Sequence, residues 1–247
     1  MDHFQGKTVP EHLKEARERG AFAKAEVHGT EIPGHLAALS DSCKDSAIAL
    51  LILWALLSQS SLSHSASFLI LGAFSLGWLI WKTGRSALLG WSRLERLHRV
   101  IEEERFEIEH HRQQERSELT ELYRAKGFSG KLLTDAVDVL MADDNRLLTI
   151  MLEEEFGLSL ESYEHPLKQS FGAFAGTLLC SLLLLLTFYF LPGFALPCAA
   201  LFIVSLSSAI AAKLEGNNPL PAFIWNLSVA LSAGSGVYFL SKLAFSL

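Results

Sequence analysis

Glutamates recur at helical spacing in a charged stretch near the middle of the chain. Glu104, Glu107, Glu115 and Glu118 fall on one side of a helix, and a second acidic cluster follows at Glu153-Glu154-Glu155. Carboxylates gathered on a packed helix face repel one another and lose hydration unless they are paired or bound to metal. The pattern therefore predicts a site for a divalent cation.

The glutamate stripe borders the apolar stripe of the same helix instead of lying opposite to it. This follows if residues 86–126 form one helix with about 100° of rotation per residue. The alternative is two helices with a break near His110-His111-Arg112. Glutamates that only solubilise a helix are expected on its far side, where Glu102, Glu103 and Glu109 fall. The apolar stripe consists of Leu97, Ile101, Ile108, Leu119 and Leu122.

A solvated or salt-bridged face is the other interpretation of this stripe, because exposed Glu–Arg pairs are common and stabilise little. A metal site also needs ligands from a second element. The sequence predicts a helix over Gly130–Met141 and another that starts after Asp143 or Asp144, runs to Phe156 and stops at Gly157.

The last of these helices carries Met151 and Glu155, which are four residues apart and therefore on one face. A thioether beside carboxylates favours softer transition metals over Mg²⁺ and Ca²⁺. A methionine on an amphipathic helix is, however, more often a core residue than a ligand, so both interpretations of Met151 stay open.

Long uncharged runs flank the charged stretch. The chain has 247 residues, half of them hydrophobic, and a mean hydropathy of +0.27. Residues 47–81, 171–212 and 217–241 contain no Asp, Glu, Lys or Arg, and such runs predict membrane helices. We expect an all-α integral membrane protein with five transmembrane helices and a cytosolic helical metal-binding domain between the second and third.

The boundaries follow from the same runs. Residues 1–33 are a cytosolic N-terminal segment, with a short helix capped by Thr8 and Glu11. Residues 34–91 hold the first two spans, joined at the Ser58–Ser65 turn, the second covering Phe68–Trp81 and continuing to Leu89. Residues 92–166 form the metal-binding domain. Residues 167–247 hold the last three spans, predicted at Phe171–Leu191, Phe194–Ala212 and Pro219–Leu240.

Lys and Arg residues predict the orientation. Of 21 such residues, only Lys213 and Lys242 lie outside 1–44 and 82–168, so we expect the N-terminus and the central domain in the cytoplasm. No signal-peptide pattern opens the chain, and a bacterial inner membrane is the expected location.

Acidic and basic residues are interleaved without a basic patch, so no nucleic-acid partner is expected. The three cysteines show no CxxC spacing and are expected to be small packing residues: Cys43, Cys180 and Cys198.

Four stretches together resemble the cytosolic domain of the vacuolar iron transporter family: Glu104–Glu107, Glu115–Tyr123, Lys126–Phe128 and Ile150–Leu158. The resemblance implies a homodimer with five transmembrane helices that moves Fe²⁺, and often Mn²⁺, out of the cytosol in exchange for protons. It implies no organic cofactor. The metal ligands that it implies are Glu104, Glu107, Glu115, Glu118, Met151 and Glu155.

The sequence departs from the family pattern at several places. Leu152 stands where the family has a second methionine, and His110–Gln114 replaces a proline, which makes His111 a possible further ligand. Ser40-Asp41 lacks the glycine and proline that follow in the family, and Asp41 is the candidate for the ion path. The second span has neither the glutamate nor the methionine of the family.

A charged residue within a span is by default a functional candidate, although juxtamembrane capping and snorkelling is the other interpretation of Asp41, Lys44 and Asp45. Taken together, the residues predict an exporter of Fe²⁺ or Mn²⁺. The first alternative is a membrane-anchored metal buffer or sensor without transport. The second is a di-iron enzyme, suggested by the Glu-x-x-His spacing of Glu107 and His110, but a second such motif is missing.

Overall fold

The computed structural model describes Thr8, Glu11, Lys14 and residues 33–156, 165–191 and 193–246. These residues form helices joined by short turns, with no strand among them. The helices are α1 (Gly34–Leu57), α2 (His64–His110), α3 (Arg112–Ala125), α4 (Gly130–Met141), α5 (Asp144–Glu154), α6 (Pro166–Phe190), α7 (Ala195–Leu214) and α8 (Pro219–Ser246).

Capping groups stand at two of the predicted helix starts. The Thr8 N–H and hydroxyl donate to Glu11 Oε2 at 3.0 and 2.9 Å, which is the predicted capping contact. Apart from Glu11 and Lys14, which are helical, the predicted N-terminal helix lies outside the described residues, as does Gly157. Asp143 accepts a hydrogen bond from the Arg146 N–H at 2.8 Å and so caps the start of α5.

The second helix is longer than predicted. It runs without a break through 47 residues from His64 to His110, so it joins the apolar second span to the first part of the glutamate stretch. The charged segment after Trp81 does not end it, because neither Lys nor Arg breaks a helix and the next proline is Pro166.

The chain divides into two compact units. We call residues 28–90 and 164–247 the membrane unit and residues 1–27 and 91–163 the carboxylate unit. Four helices are long and apolar enough to cross a membrane: α2, α6, α7 and α8. Of these, only α2 extends beyond the residues of the membrane unit. Helix α1 is not among them, since it carries Asp41, Lys44 and Asp45 within 24 residues. The protein is thus an all-helical membrane protein with four such helices among the residues described.

Helix α1 packs most closely against α6, because two glycines of α6 remove the side chains that would separate the backbones. A Cβ atom on Gly172 would lie 2.0 Å from the His35 carbonyl oxygen, and one on Gly176 would lie 2.2 Å from that of Leu39. Small residues at this spacing are the usual means of close helix packing in membranes. Gly172 and Gly176 thus allow close contact between α6 and α1.

Helix α1 is also central to the core of the membrane unit. Its fully buried Ala47 and Ala55 and nearly buried Leu50 lie with residues of α2, α6, α7 and α8. Trp54 stacks on Tyr238 at 6.3 Å between ring centroids and meets Phe194 edge-on at 5.5 Å. Side chains on the outer surface of this unit are mostly large and apolar, for example Trp225 and Phe171. Such a surface fits a lipid environment.

The carboxylate unit has a core of its own, formed where the end of α2 meets three short helices. The core residues of α3 and α4 repeat at three- and four-residue intervals, as expected for amphipathic helices. The buried members are Ile108, Leu119, Leu122, Leu133, Val137, Met141, Leu147, Leu148, Met151 and Leu152.

Candidate metal centre

A helix break divides the glutamate stripe between two helices. Helix α2 ends at His110, and α3 starts at Arg112 after His111, whose backbone angles are φ −127° and ψ 34°. Glu104 and Glu107 therefore lie on α2, and Glu115 and Glu118 on α3. The single continuous helix assumed for the wheel is wrong, and the alternative with a break near His110–Arg112 is confirmed.

Burial separates the candidate ligands from the other glutamates of the same stretch. Four carboxyl side chains belong to residues that are almost inaccessible to solvent, and Glu107 is half-buried. Glu102, Glu103 and Glu109 are exposed, as expected for the far side of the helix. The four buried residues have relative exposures of 0–2%: Glu104, Glu115, Glu118 and Glu155.

The buried carboxyls raise one another's pKa. Burial is the main cause of the rise in the pKa of Glu115 to about 10, followed by the charges of Glu104, Glu155 and Glu107. Burial and then the charge of Glu115 raise the pKa of Glu118 to about 9. The five glutamates are therefore neighbours in space, although they come from three elements of the chain.

Glu104 completes the group. Burial and the nearby charge of Glu107 raise the pKa of Glu104 to about 8, and a hydrogen bond with Glu115 acts in the opposite direction. At neutral pH the cluster accordingly stores protons, and a divalent cation that binds there must displace them.

Met151 lies one turn before Glu155 and is fully buried in the core of the carboxylate unit. The Glu155 N–H donates to the Met151 carbonyl oxygen at 2.8 Å, which ends α5. Leu152, which stands where the family pattern has a second methionine, is also fully buried. Core packing is enough to explain the burial of Met151, and its role as a ligand stays a prediction.

Basic residues of α3 pair with carboxylates outside the buried cluster. Arg112 bonds to Asp144 at 2.6 Å, and Arg116 bonds to Asp138. Lys126 pairs with Glu154, so this member of the second acidic cluster has a cation of its own, whereas Glu153 is exposed. These solvent-facing pairs connect α3 and the residue after it to α4 and α5. The carboxylates in them have a structural role and are distinct from the candidate ligands.

The side chains are not arranged as a finished coordination sphere. Among the described residues, no three His, Cys, Asp or Glu side chains are grouped so that they could hold one metal ion. The cluster thus consists of neighbouring buried carboxyls that are not arranged around a common ion. Simultaneous binding of one ion by several of them requires side-chain movement or donors from elsewhere.

In the membrane unit, the charged residues of α1 are ion-paired. Asp41 bonds to Lys44 at 2.7 Å within α1, and Asp45 bonds to Lys82 of α2 at 2.6 Å. The aspartate side chains are 44% and 54% exposed on the surface of the chain. Asp41 is therefore partly exposed and ion-paired with Lys44, and its role in an ion path stays a prediction.

The sequence did not indicate the partners of α1 in this region. The Cys43 and Cys180 thiols interact across the α1–α6 interface, and Trp78 Nε1 donates to Ser46 Oγ at 3.2 Å. The contact between the cysteines can be inferred from their positions along the two helices. Cys43 follows Leu39 by four residues and Cys180 follows Gly176 by four, so the two cysteines continue the contact between the glycines and α1.

The histidines at the helix break differ in exposure. His110 is exposed, stacks on Phe106 with 4.1 Å between ring centroids, and places Nδ1 2.9 Å from the Phe106 carbonyl oxygen. His111 is half-buried beside the break. A role for His111 as a further ligand stays a prediction.

Comparison with known proteins gives one positive result. No curated protein matches the sequence significantly. The model of the VIT family matches residues 90–242, which is more than half of the chain and includes all the candidate glutamates. The match starts at Gly90, so α1 and the apolar part of α2 lie outside it. The chain belongs to the VIT family, a family of transporters.

Proposed function

We propose that this protein carries Fe²⁺, Mn²⁺ or both out of the cytosol across a membrane in exchange for protons. The observation that carries the proposal is the cluster of buried, mutually repelling carboxyls in a membrane protein of the VIT family. In this proposal Glu104, Glu107, Glu115, Glu118 and Glu155 capture the ion and Met151 contributes a thioether. The N-terminus and the carboxylate unit are cytoplasmic, and the location is a bacterial inner membrane.

Proton exchange follows from the electrostatics of the cluster. Neutral carboxyls are stable there without a cation, because burial and neighbouring glutamates raise their pKa values. A bound divalent ion reverses this preference, since its charge stabilises the carboxylate forms. Capture of an ion then releases protons, and protonation of the same groups releases the ion.

A homodimer is the proposed functional form. One copy does not group three ligand side chains around a common point among its described residues. Donors from a second copy, together with rotation of the buried carboxyl groups, complete the coordination in this proposal. Transition-metal sites generally gather four to six donors.

A second candidate function is supported by the region outside the family match. Residues 69–81 of α2 contain no Glu, Asp or Met, and this part of the chain precedes the matched range. A chain that keeps the carboxylate cluster but has lost the transport route would act as a membrane-anchored metal buffer or sensor. If the protein does transport metal, Asp41 on α1 is the candidate residue for the ion path, and α1 then crosses the membrane in addition to the four apolar helices.

Transport is tested with purified protein in liposomes that contain a pH-sensitive dye, to which Mn²⁺ or Fe²⁺ under reducing conditions is added. We expect metal uptake coupled to proton movement in the opposite direction. Glu115→Gln should reduce both fluxes at least tenfold, because it removes one carboxylate from the centre of the cluster. The matched control is Glu109→Gln, an exposed glutamate of the same stretch, which should transport like the unchanged protein.

Binding measured on the same preparations separates the two functions. Tight Mn²⁺ binding without flux, lost in Glu115→Gln, would establish the buffer or sensor and exclude transport. Unchanged binding and flux in Glu115→Gln and in Glu118→Gln would contradict the role assigned to the cluster.

A further inference from the structure

The α1–α6 interface has a regular register that ends in two cysteines. His35 meets Gly172, and Leu39 meets Gly176 one turn further along both helices. The residue numbers increase together, so α1 and α6 run parallel at this interface. One more turn brings Cys43 opposite Cys180.

The structure agrees with this register, because the two thiols interact across the interface. A disulfide requires Cα atoms about 4.4–6.8 Å apart, which is closer than most helix pairs allow. Backbones that touch one turn earlier, at Gly176, provide such an approach. The pair therefore lies at a part of the interface where the close approach of the two backbones favours a disulfide.

One member of the pair is partly exposed on the surface of the chain. Cys43 is half-buried and lies between Asp41 and Asp45, whose side chains are partly exposed to solvent. Cys180 is fully buried and packs in the core of the membrane unit. An accessible thiol with a buried thiol beside it is the arrangement of a redox-sensitive pair. Cys198 is exposed on α7 and serves as an internal comparison.

We propose that Cys43 and Cys180 are a reversible modification site, at which a peroxide-class oxidant links α1 to α6 through a disulfide. The inference is independent of the metal-transport proposal.

The reaction has two steps. The Cys43 sulfur, as the thiolate, attacks one peroxide oxygen; an S–O bond forms, the O–O bond breaks, and the leaving hydroxide takes a proton to become water. The Cys180 sulfur then attacks the Cys43 sulfur; the S–S bond forms, the S–O bond breaks, and the Cys180 proton leaves in a second water. Two thiols are thus oxidised by two electrons, and hydrogen peroxide is reduced to two waters. A dithiol reverses the link by exchange.

The exposed turn between α3 and α4 allows a direct test, because α1 and α6 lie on opposite sides of it in the chain. A protease site is inserted between Lys126 and Ser129, and the full chain is purified in lipid nanodiscs. The protein is treated with hydrogen peroxide, quenched with an alkylating agent, cleaved and run on a denaturing gel without reductant. We expect the two fragments to migrate together and to separate after addition of a dithiol.

Variants assign the link to the two cysteines. Cys43→Ser and Cys180→Ser should each abolish the linked band, whereas Cys198→Ser should retain it. Mass spectrometry of the oxidised, unsubstituted protein identifies the linked cysteines directly. It should show a Cys43–Cys180 peptide pair that has lost two hydrogens. Alkylated, unlinked Cys43 and Cys180 after peroxide treatment would overturn the proposal, as would a linked band that persists in Cys43→Ser.

Discussion

Glu104, Glu115 and Glu118 hold protons at neutral pH because each is buried beside other carboxyls. A divalent cation competes with those protons, so metal affinity should increase with pH. We expect Mn²⁺ to bind more tightly at about pH 8 than at about pH 6, with more than one proton released per ion. Calorimetry in buffers of different ionisation enthalpy measures the proton count. A count near zero would contradict displacement of protons by the metal.

The same groups determine how the metal-free protein responds to pH. Their folded pKa values of about 8 to 10 lie above the ordinary 4.5, so between these values the folded state binds more protons than the unfolded state. Stability that is present near pH 4.5 is therefore lost as the pH rises towards 8–10. We expect a lower unfolding temperature at about pH 8 than at about pH 6, a smaller difference in Glu115→Gln, and recovery on addition of Mn²⁺. Equal unfolding temperatures at the two pH values would show that burial does not hold these protons.

Met151 offers a test of the thioether. Met151→Leu conserves volume, so the stability cost should stay below about 1.5 kcal/mol. If the sulfur is a ligand, Fe²⁺ affinity should fall several-fold, and more than Mn²⁺ affinity, because Mn²⁺ prefers oxygen donors more strongly. Met141→Leu is the matched control, since Met141 is buried in the same core and lies outside the predicted ligand set. Equal Fe²⁺ affinities in the two variants would assign Met151 to the core alone.

At the residue scale, the helical wheel separates inward from outward glutamates. The exposed Glu102, Glu103 and Glu109 fall where the sequence predicts. Periodicity does not show that Glu155, from a distant helix, lies beside Glu115, because that proximity depends on the packing of α5 within the unit. It also gives no distances, so the final ligand set cannot be predicted from spacing.

At the scale of elements, the glycines of α6 provide a matched pair of substitutions with glycines of α2. Gly176→Ala places a Cβ atom 2.2 Å from a backbone oxygen that cannot rotate away, so α1 and α6 must separate. We expect a loss of about 1–3 kcal/mol in stability, or failure to assemble. Gly77→Ala meets nothing within 4 Å and should be neutral or slightly stabilising.

Thermal unfolding in detergent, followed by the loss of the monodisperse peak in size-exclusion chromatography, distinguishes the two variants. Equal unfolding temperatures for Gly176→Ala and Gly77→Ala would show that the α1–α6 contact contributes little to the fold.

The predicted helices agree best with the structure where a glycine, a proline or a capping side chain stands at the boundary. Helix α4 has the predicted bounds, between the turn at Gly127 and the cap at Asp143. The extent of α2 and its break at His111 were harder to predict, because residues 86–126 contain no proline and only one glycine. No residue type that usually ends a helix stands at the break, so local composition does not report it.

At the scale of the whole molecule, the status of α1 determines the topology. If α1 crosses the membrane, the N-terminus and the α3–α4 turn lie on the same side, because α1 and α2 separate them by two crossings. If α1 does not cross, they lie on opposite sides. We expect the same side, because α1 is buried among α6, α7 and α8 although it carries three charges.

Single cysteines placed near Thr8 and at Lys126 in a cysteine-free background, labelled from one side with an impermeant maleimide, measure this topology. Labelling of both from the same side is the expected result, and labelling from opposite sides would leave only four crossings.

The close fit between α1 and α6 has a consequence for biosynthesis. The chain between these helices includes all of α2 and the carboxylate unit, so α1 leaves the ribosome long before its main partner exists. Charged residues make a helix costly to hold in lipid alone. Helix α1 must therefore wait at the membrane surface or beside the insertion machinery while residues 58–165 are synthesised. Nascent chains that stop before α6 should therefore lack a stably inserted α1 and become targets for proteolysis.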